Sequence, residues 1–77
     1  MANAEALPIL TADACRAARA ILRWSIADLV REAHVSPNSI QKIEQDEPVR
    51  PATADRIVRT FDENGIAVLP SGASRKV

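Results

Sequence analysis

The sequence holds a single cysteine, Cys15, and a single histidine, His34, among its 77 residues. One cysteine cannot form a disulfide within the chain, and no cysteines or histidines are paired at the spacing of a structural zinc site. We therefore expect no disulfide, no metal and no cofactor, and a reducing, cytoplasmic setting. A chain of this length has room for one small core, which on its own should be marginally stable.

Aromatic residues, long apolar runs and an excess of one charge are also scarce. Only Trp24 and Phe61 are aromatic, and ten lysines and arginines balance ten aspartates and glutamates. No apolar run is long enough to span a bilayer, and the first ten residues lack the basic residues of a signal or transit peptide. A neutral chain also lacks the basic excess typical of nucleic-acid-binding proteins, so binding to DNA would require a local basic surface.

Apolar residues recur at helical spacing in four segments between Thr11 and Asn64. Each of the first three segments follows a hydroxyl residue that can cap a helix, and the third also begins with a proline at its first position. The predicted caps are Thr11, Ser25 and Ser36. The third helix is expected to run from Pro37 to about Gln45, after a very short turn.

The segment after the fourth helix has a different character. Residues 66–69 form a short β-prone run that ends at a proline. We expect a flexible arm over residues 1–10, one domain over residues 11–69 and a flexible tail over residues 70–77. The predicted fold class is all-α: a compact domain of four to five helices, with a short C-terminal strand as a possible addition.

The third predicted helix is unusually polar. Only Ile40 and Ile43 are large and apolar, which leaves Asn38, Ser39, Gln41, Lys42 and Gln45 to face outward. Asparagine and glutamine can pair bidentately with adenine, and lysine can bond guanine, so this face suits the reading of base edges. An amphipathic helix, a short turn and a polar second helix together indicate a helix-turn-helix, whose second helix enters the major groove of DNA.

The segment between Ala14 and Leu69 resembles the Cro/repressor (XRE-type, lambda-repressor-like) helix-turn-helix domains. The residues that carry the resemblance are Trp24, Ser25, Leu29, Ala33, Val35, Ser36, Ile40, Ile43, Glu44 and Pro51. Two positions depart from the family pattern. Ile26 stands where the family commonly has a DNA-contacting glutamine, and His34 stands where it has a turn glycine.

The resemblance implies roles for individual residues. Ser25 and Ser36 would hold phosphates, Asn38 and Lys42 would read bases, and Arg50 would contact the DNA backbone. Pro37 stands where relatives often place a base-reading residue, and its ring could only touch a thymine methyl. Arg19 and Glu44 occupy the positions of a partly buried ion pair that joins the first helix to the third.

The predicted function is sequence-specific DNA binding in transcriptional regulation, with repression by operator occupancy. One recognition helix on a neutral domain should bind too weakly to find an operator, so we expect a homodimer on an inverted repeat. The predicted dimer contact is made by Ile66, Val68 and Leu69. The alternative is a protein-interaction module, such as an antitoxin or an adaptor. No nucleophile, base and orienting group converge in the sequence, so we do not expect an enzyme.

Overall fold

The computed structural model describes residues 10–76, so the predicted arm lies outside the described residues apart from Leu10. Four helices are followed by two short strands. The elements are α1 (Ala12–Leu22), α2 (Ile26–Ala33), α3 (Pro37–Glu44), α4 (Pro51–Glu63), β1 (Ile66–Leu69) and β2 (Gly72–Arg75). Within residues 10–76, no helix is both long and apolar enough to cross a membrane, and no three potential metal-binding side chains come together.

The three predicted caps are confirmed. The hydroxyls of Thr11 and Ser36 accept hydrogen bonds from backbone amides at the start of α1 and α3. Ser25 forms a capping box with Asp28, in which each side chain accepts from the other residue's amide. Each such cap contributes about 1 kcal/mol to helix stability, which matters in a chain this short. The capping residues therefore fix where the first three helices begin.

The core lies where the four helices and β1 meet. Its largest fully buried side chains are Phe61, Leu29, Ile40, Ile57, Ile66 and Cys15. Trp24 packs at the edge of this cluster, with its ring centroid 6.3 Å from that of Phe61. Burial, together with the neighbouring Glu44 carboxylate, raises the pKa of the Cys15 thiol far above its usual range. A thiol that stays protonated is a poor nucleophile, and Cys15 therefore acts as a core residue.

The C-terminal segment corrects the predicted architecture. β1 pairs with β2 as an antiparallel hairpin, in which Ile66 lies opposite Arg75 and Leu69 opposite Gly72. The prediction of a flexible tail from residue 70 was therefore wrong for Gly72–Arg75, and the domain is mostly helical with a two-stranded sheet instead of all-α. β2 forms because β1 offers it a ladder and because α1 supplies a packing surface.

The hairpin also corrects part of the predicted dimer contact. Ile66 is fully buried in the core of its own chain, so its side chain is not available to a second copy. Val68 is partly buried against the same core. Leu69 is the one large apolar side chain that stays exposed among the described residues, at 50% of its full area. Because β1 already has one strand partner, only its other edge is left to pair with a second chain.

Candidate nucleic-acid interface

Helix α3 buries one narrow face and exposes the rest. Ile40 and Ile43 are 0% and 4% exposed and anchor the helix in the core. The predicted base-reading residues are all exposed on its other faces. These are Pro37, Asn38, Gln41 and Lys42, with Gln45 exposed at the C-terminal cap. Ser39, in the first turn of α3, is half-buried. The predicted outward face is therefore present on α3 except at Ser39, which was also predicted to face outward.

The turn between α2 and α3 contains a left-handed residue and accepts a hydrogen bond from α4. His34 adopts a left-handed conformation with φ of 57° and ends α2. This conformation costs little for a glycine and more for a histidine, so the histidine is sterically less favourable here than a glycine would be. The guanidinium of Arg56 on α4 donates a hydrogen bond of 3.1 Å to the His34 carbonyl. Helix α4 therefore braces the turn that places α3.

Two adjoining grooves run between α3 and α4. The larger, of about 310 Å³, is lined by Asn38, Ser39, Lys42, Val49, Arg50 and Thr53. The smaller, of about 210 Å³, is lined at the turn by His34, Val35, Ser36, Ser39, Ala52, Thr53 and Arg56. Ser39 and Thr53 line both grooves, so the two adjoin, and we call them together the α3–α4 valley. The predicted contacts Ser36, Asn38, Lys42 and Arg50 thus share one surface.

The valley is basic although the chain is neutral. No aspartate or glutamate lines either groove. Within residues 10–76, most carboxylates form ion pairs with basic residues elsewhere on the surface. The basic partners in these pairs are Arg16, Arg19, Arg31, Arg59 and Lys76. The cations Lys42, Arg50 and Arg56 have no such partner among the described residues. A net charge of zero therefore conceals a local basic surface.

Ser25 does not join this surface. It lines neither groove, and its hydroxyl and amide are both engaged in the capping box with Asp28, at 3.0 and 2.9 Å. Hydrogen bonds from Ser25 and Arg31 lower the pKa of Asp28, which keeps a carboxylate at this end of α2. A phosphate at Ser25 would have to approach that charge, which Arg31 only partly offsets.

The predicted ion pair between α1 and α3 is present. Arg19 donates from Nε and Nη2 to the two carboxylate oxygens of Glu44, at 2.7 and 2.8 Å, and from Nη1 to the Trp24 carbonyl at 3.0 Å. The side chains of Arg19 and Glu44 are only 19% and 11% exposed. Arg16 adds a hydrogen bond of 2.6 Å to the Glu44 carbonyl. The last residue of α3 is thereby fixed to α1.

The charge on Glu44 depends on these partners. Burial raises the pKa of Glu44, because a charged carboxylate loses its hydration. The hydrogen bonds from Arg19, with the neighbouring Cys15 thiol and the nearby charges of Arg19 and Arg16, outweigh that effect and hold the pKa of Glu44 below its ordinary value. Glu44 therefore stays ionised at neutral pH and keeps its bidentate partner.

Two hydrogen-bonding residues that α4 contributes to the valley were not predicted from the sequence as contacts. Thr53 and Arg56 lie on α4, outside the predicted helix-turn-helix segment, and they line the valley because α4, which packs against α2 and β1, faces α3 across it. The available signal was weak, because Arg56 is one of two arginines in the amphipathic pattern of α4. Comparisons of the chain with models of protein families, with curated proteins and with solved structures found no match.

Proposed function

We propose that this domain binds duplex DNA sequence-specifically through α3 and regulates transcription by occupying an operator, most simply as a repressor. The observation that carries the proposal is the pairing of two features. Helix α3 exposes amide and ammonium groups, and the valley beside it contains three cations and no carboxylate. The first feature suits base edges and the second suits the phosphate backbone.

The exposed groups of α3 match the chemistry of the major groove. Asn38 and Gln41 can each pair bidentately with adenine, and Lys42 can donate to guanine. Each good bidentate contact contributes about 1–3 kcal/mol of discrimination against the wrong base. Arg50 lines the larger groove beside Lys42, where its charge can contact the backbone. Pro37, at the first position of α3, offers only an apolar contact to a thymine methyl.

We also propose a lambda-repressor-like arrangement for the helices. The support is the order of α1 to α4, the short turn between α2 and α3, and the Arg19–Glu44 pair at the position that the resemblance implies. In this arrangement α2 lies across the backbone while α3 enters the major groove. The ion pair would then keep the recognition helix at a fixed angle to α1.

Selection of bound duplexes from a random library at fixed salt tests the proposal. We expect enrichment of one short motif, because α3 offers only a few base-reading side chains. We also expect the affinity to fall as salt rises, because the unpaired cations would displace counterions from phosphates. Recovery of no motif together with salt-independent behaviour would contradict DNA binding and favour the protein-interaction alternative, an antitoxin or an adaptor.

We further propose that the working form is a homodimer, with contacts from the exposed end of the hairpin. Leu69 is half exposed, and Val68 beside it is only partly buried. Two copies related by a twofold axis would place their α3 helices about 34 Å apart, so the selected motif should be an inverted repeat. Removing the hairpin would not test this interface, because it would also remove the core residue Ile66.

Replacing Leu69 by threonine should weaken the dimer by about 10- to 100-fold, since completing the burial of a half-exposed leucine contributes about 1 kcal/mol in each copy. Threonine keeps the preference for a strand and removes most of the apolar area. Sedimentation at several concentrations measures the change, and Ser74→Thr on the neighbouring strand is the matched control. A Leu69→Thr protein with unchanged self-association would place the interface elsewhere.

A further inference from the structure

Arg56 is an unexpected part of the candidate interface. It lies on α4, is exposed, and lines the part of the valley nearest the α2–α3 turn. The one hydrogen bond of its side chain within residues 10–76 runs from Nη1 to the His34 carbonyl, and no carboxylate pairs with the guanidinium there. A guanidinium has five N–H donors, so several remain available for an anion.

Arg59, one turn further along α4, shows the contrast. Its Nη2 donates to the carboxylate of Asp55 at 2.9 Å, and it lines neither groove. Both arginines are exposed and have the same chemistry, but only Arg56 faces the valley without a counter-charge. The difference between them therefore comes from their position on α4.

The polar side chains around Arg56 are mainly hydroxyls, which can donate to an anion. The hydroxyls of Ser36 and Ser39 lie 3.0 Å apart, so one donates to the other and the second keeps its proton for a ligand. Thr53 lines the same groove, and its hydroxyl makes no hydrogen bond to another residue in the part of the chain that the structure describes. A guanidinium beside hydroxyl donors is suited to phosphate oxygens, which accept hydrogen bonds and carry the opposite charge.

We propose that this end of the α3–α4 valley, formed by Arg56, Thr53, Ser36 and Ser39, binds a backbone phosphate of the DNA independently of base sequence. The inference rests on the proposed DNA binding and extends the contact surface from α3 to α4. Phosphate contacts set the register of a protein on its duplex. Arg56 would then hold the α2–α3 turn and the DNA strand at the same time.

The salt dependence of binding to duplex DNA tests this role. Each phosphate contact contributes about 0.9 to the slope of log affinity against log salt. We expect the slope for Arg56→Gln to be shallower by the contribution of one phosphate contact. Between about 50 and 200 mM salt, the fold-decrease in its affinity should then be about 3.5 times smaller than that of the wild type. At one salt concentration, Arg56→Gln should bind the selected motif and unrelated duplex more weakly than the wild type by the same factor. Arg56→Lys should keep the slope, and the control Arg59→Gln should match the wild type.

Three results would overturn the inference. If Arg56→Gln lowers the melting temperature without changing the slope, Arg56 only braces the His34 carbonyl. A loss of affinity confined to the selected motif would mean that Arg56 reads bases. Absence of salt-dependent DNA binding by the wild-type protein would contradict the proposed function itself, and this is distinguishable because it does not depend on the variant.

Discussion

Replacing Asn38 and Lys42 together by alanine should abolish specific DNA binding while leaving the fold intact. Two lost base contacts of about 1–3 kcal/mol each correspond to a decrease of about 30-fold to 10⁴-fold in affinity for the selected motif. Both residues are exposed on α3, so no core contact is removed. Alanine is also the better helix former at both positions, so the helix itself should not weaken.

Binding to the selected motif and to unrelated duplex, compared at one salt concentration, measures this effect. Unrelated duplex should lose only the contribution of the Lys42 charge, so the ratio between the two affinities should approach one. Arg59→Ala is the matched control, because it removes a positive charge from α4 outside the valley. Circular dichroism should give the same melting temperature for the double variant and the wild type within a few degrees. A specificity ratio unchanged from the wild-type value would show that another face reads the DNA, because Gln41, the remaining reader on this face, supplies only one contact.

The parts of the structure that follow from the sequence are those set by local signals. A hydroxyl residue before a run of helical periodicity fixes the helix start, because its side chain accepts a hydrogen bond from a backbone amide in the first turn. Thr11, Ser25 and Ser36 do so. The Asn64-Gly65 end of α4 is similarly local, with Gly65 at a φ of 80°. The Arg19–Glu44 pair is not local, and it was predicted only through the family resemblance.

The second strand and the basic valley depend on contacts distant in sequence. Gly72–Arg75 has little intrinsic preference for a strand, and it becomes one because it pairs with β1. Ala73 packs on the core, and Arg75 donates to the carbonyl of Ile21 at the end of α1. Likewise, composition counts charges but does not show which carboxylates neutralise which arginines. The valley is basic because of that pairing, and its charge could not be read from the neutral total.

The largest expected effect on stability comes from breaking the ion pair at the end of α3. Changing Arg19 to methionine leaves the Glu44 carboxylate, 11% exposed, without its bidentate partner. Removing one member of such a shielded pair costs about 3–5 kcal/mol, and the value here should be near the lower end because Arg19 is 19% exposed. A domain of this size has about 4–12 kcal/mol of stability in total, so a substantial fraction would be lost. Urea unfolding followed by circular dichroism measures the change.

A double-mutant cycle separates the pair itself from the cost of an unpaired charge. Arg19→Met and Glu44→Leu should each destabilise the domain. The double variant should lose far less stability than the sum of the two single losses. The reason is that no charge is then left in the partly buried space between α1 and α3. Cys15 and Arg16 also face Glu44, so in Arg19→Met the charge of Arg16 will partly compensate the Glu44 carboxylate. In Glu44→Leu, Arg19 keeps only its hydrogen bond to the Trp24 carbonyl.

The control is Arg59→Met, which breaks an exposed ion pair with Asp55 and should cost less than about 1 kcal/mol of stability. Additive losses in the cycle would show that Arg19 and Glu44 do not stabilise each other. If the apolar pair restores stability but not specific DNA binding, the ion pair is needed for the angle of α3 and not for the fold.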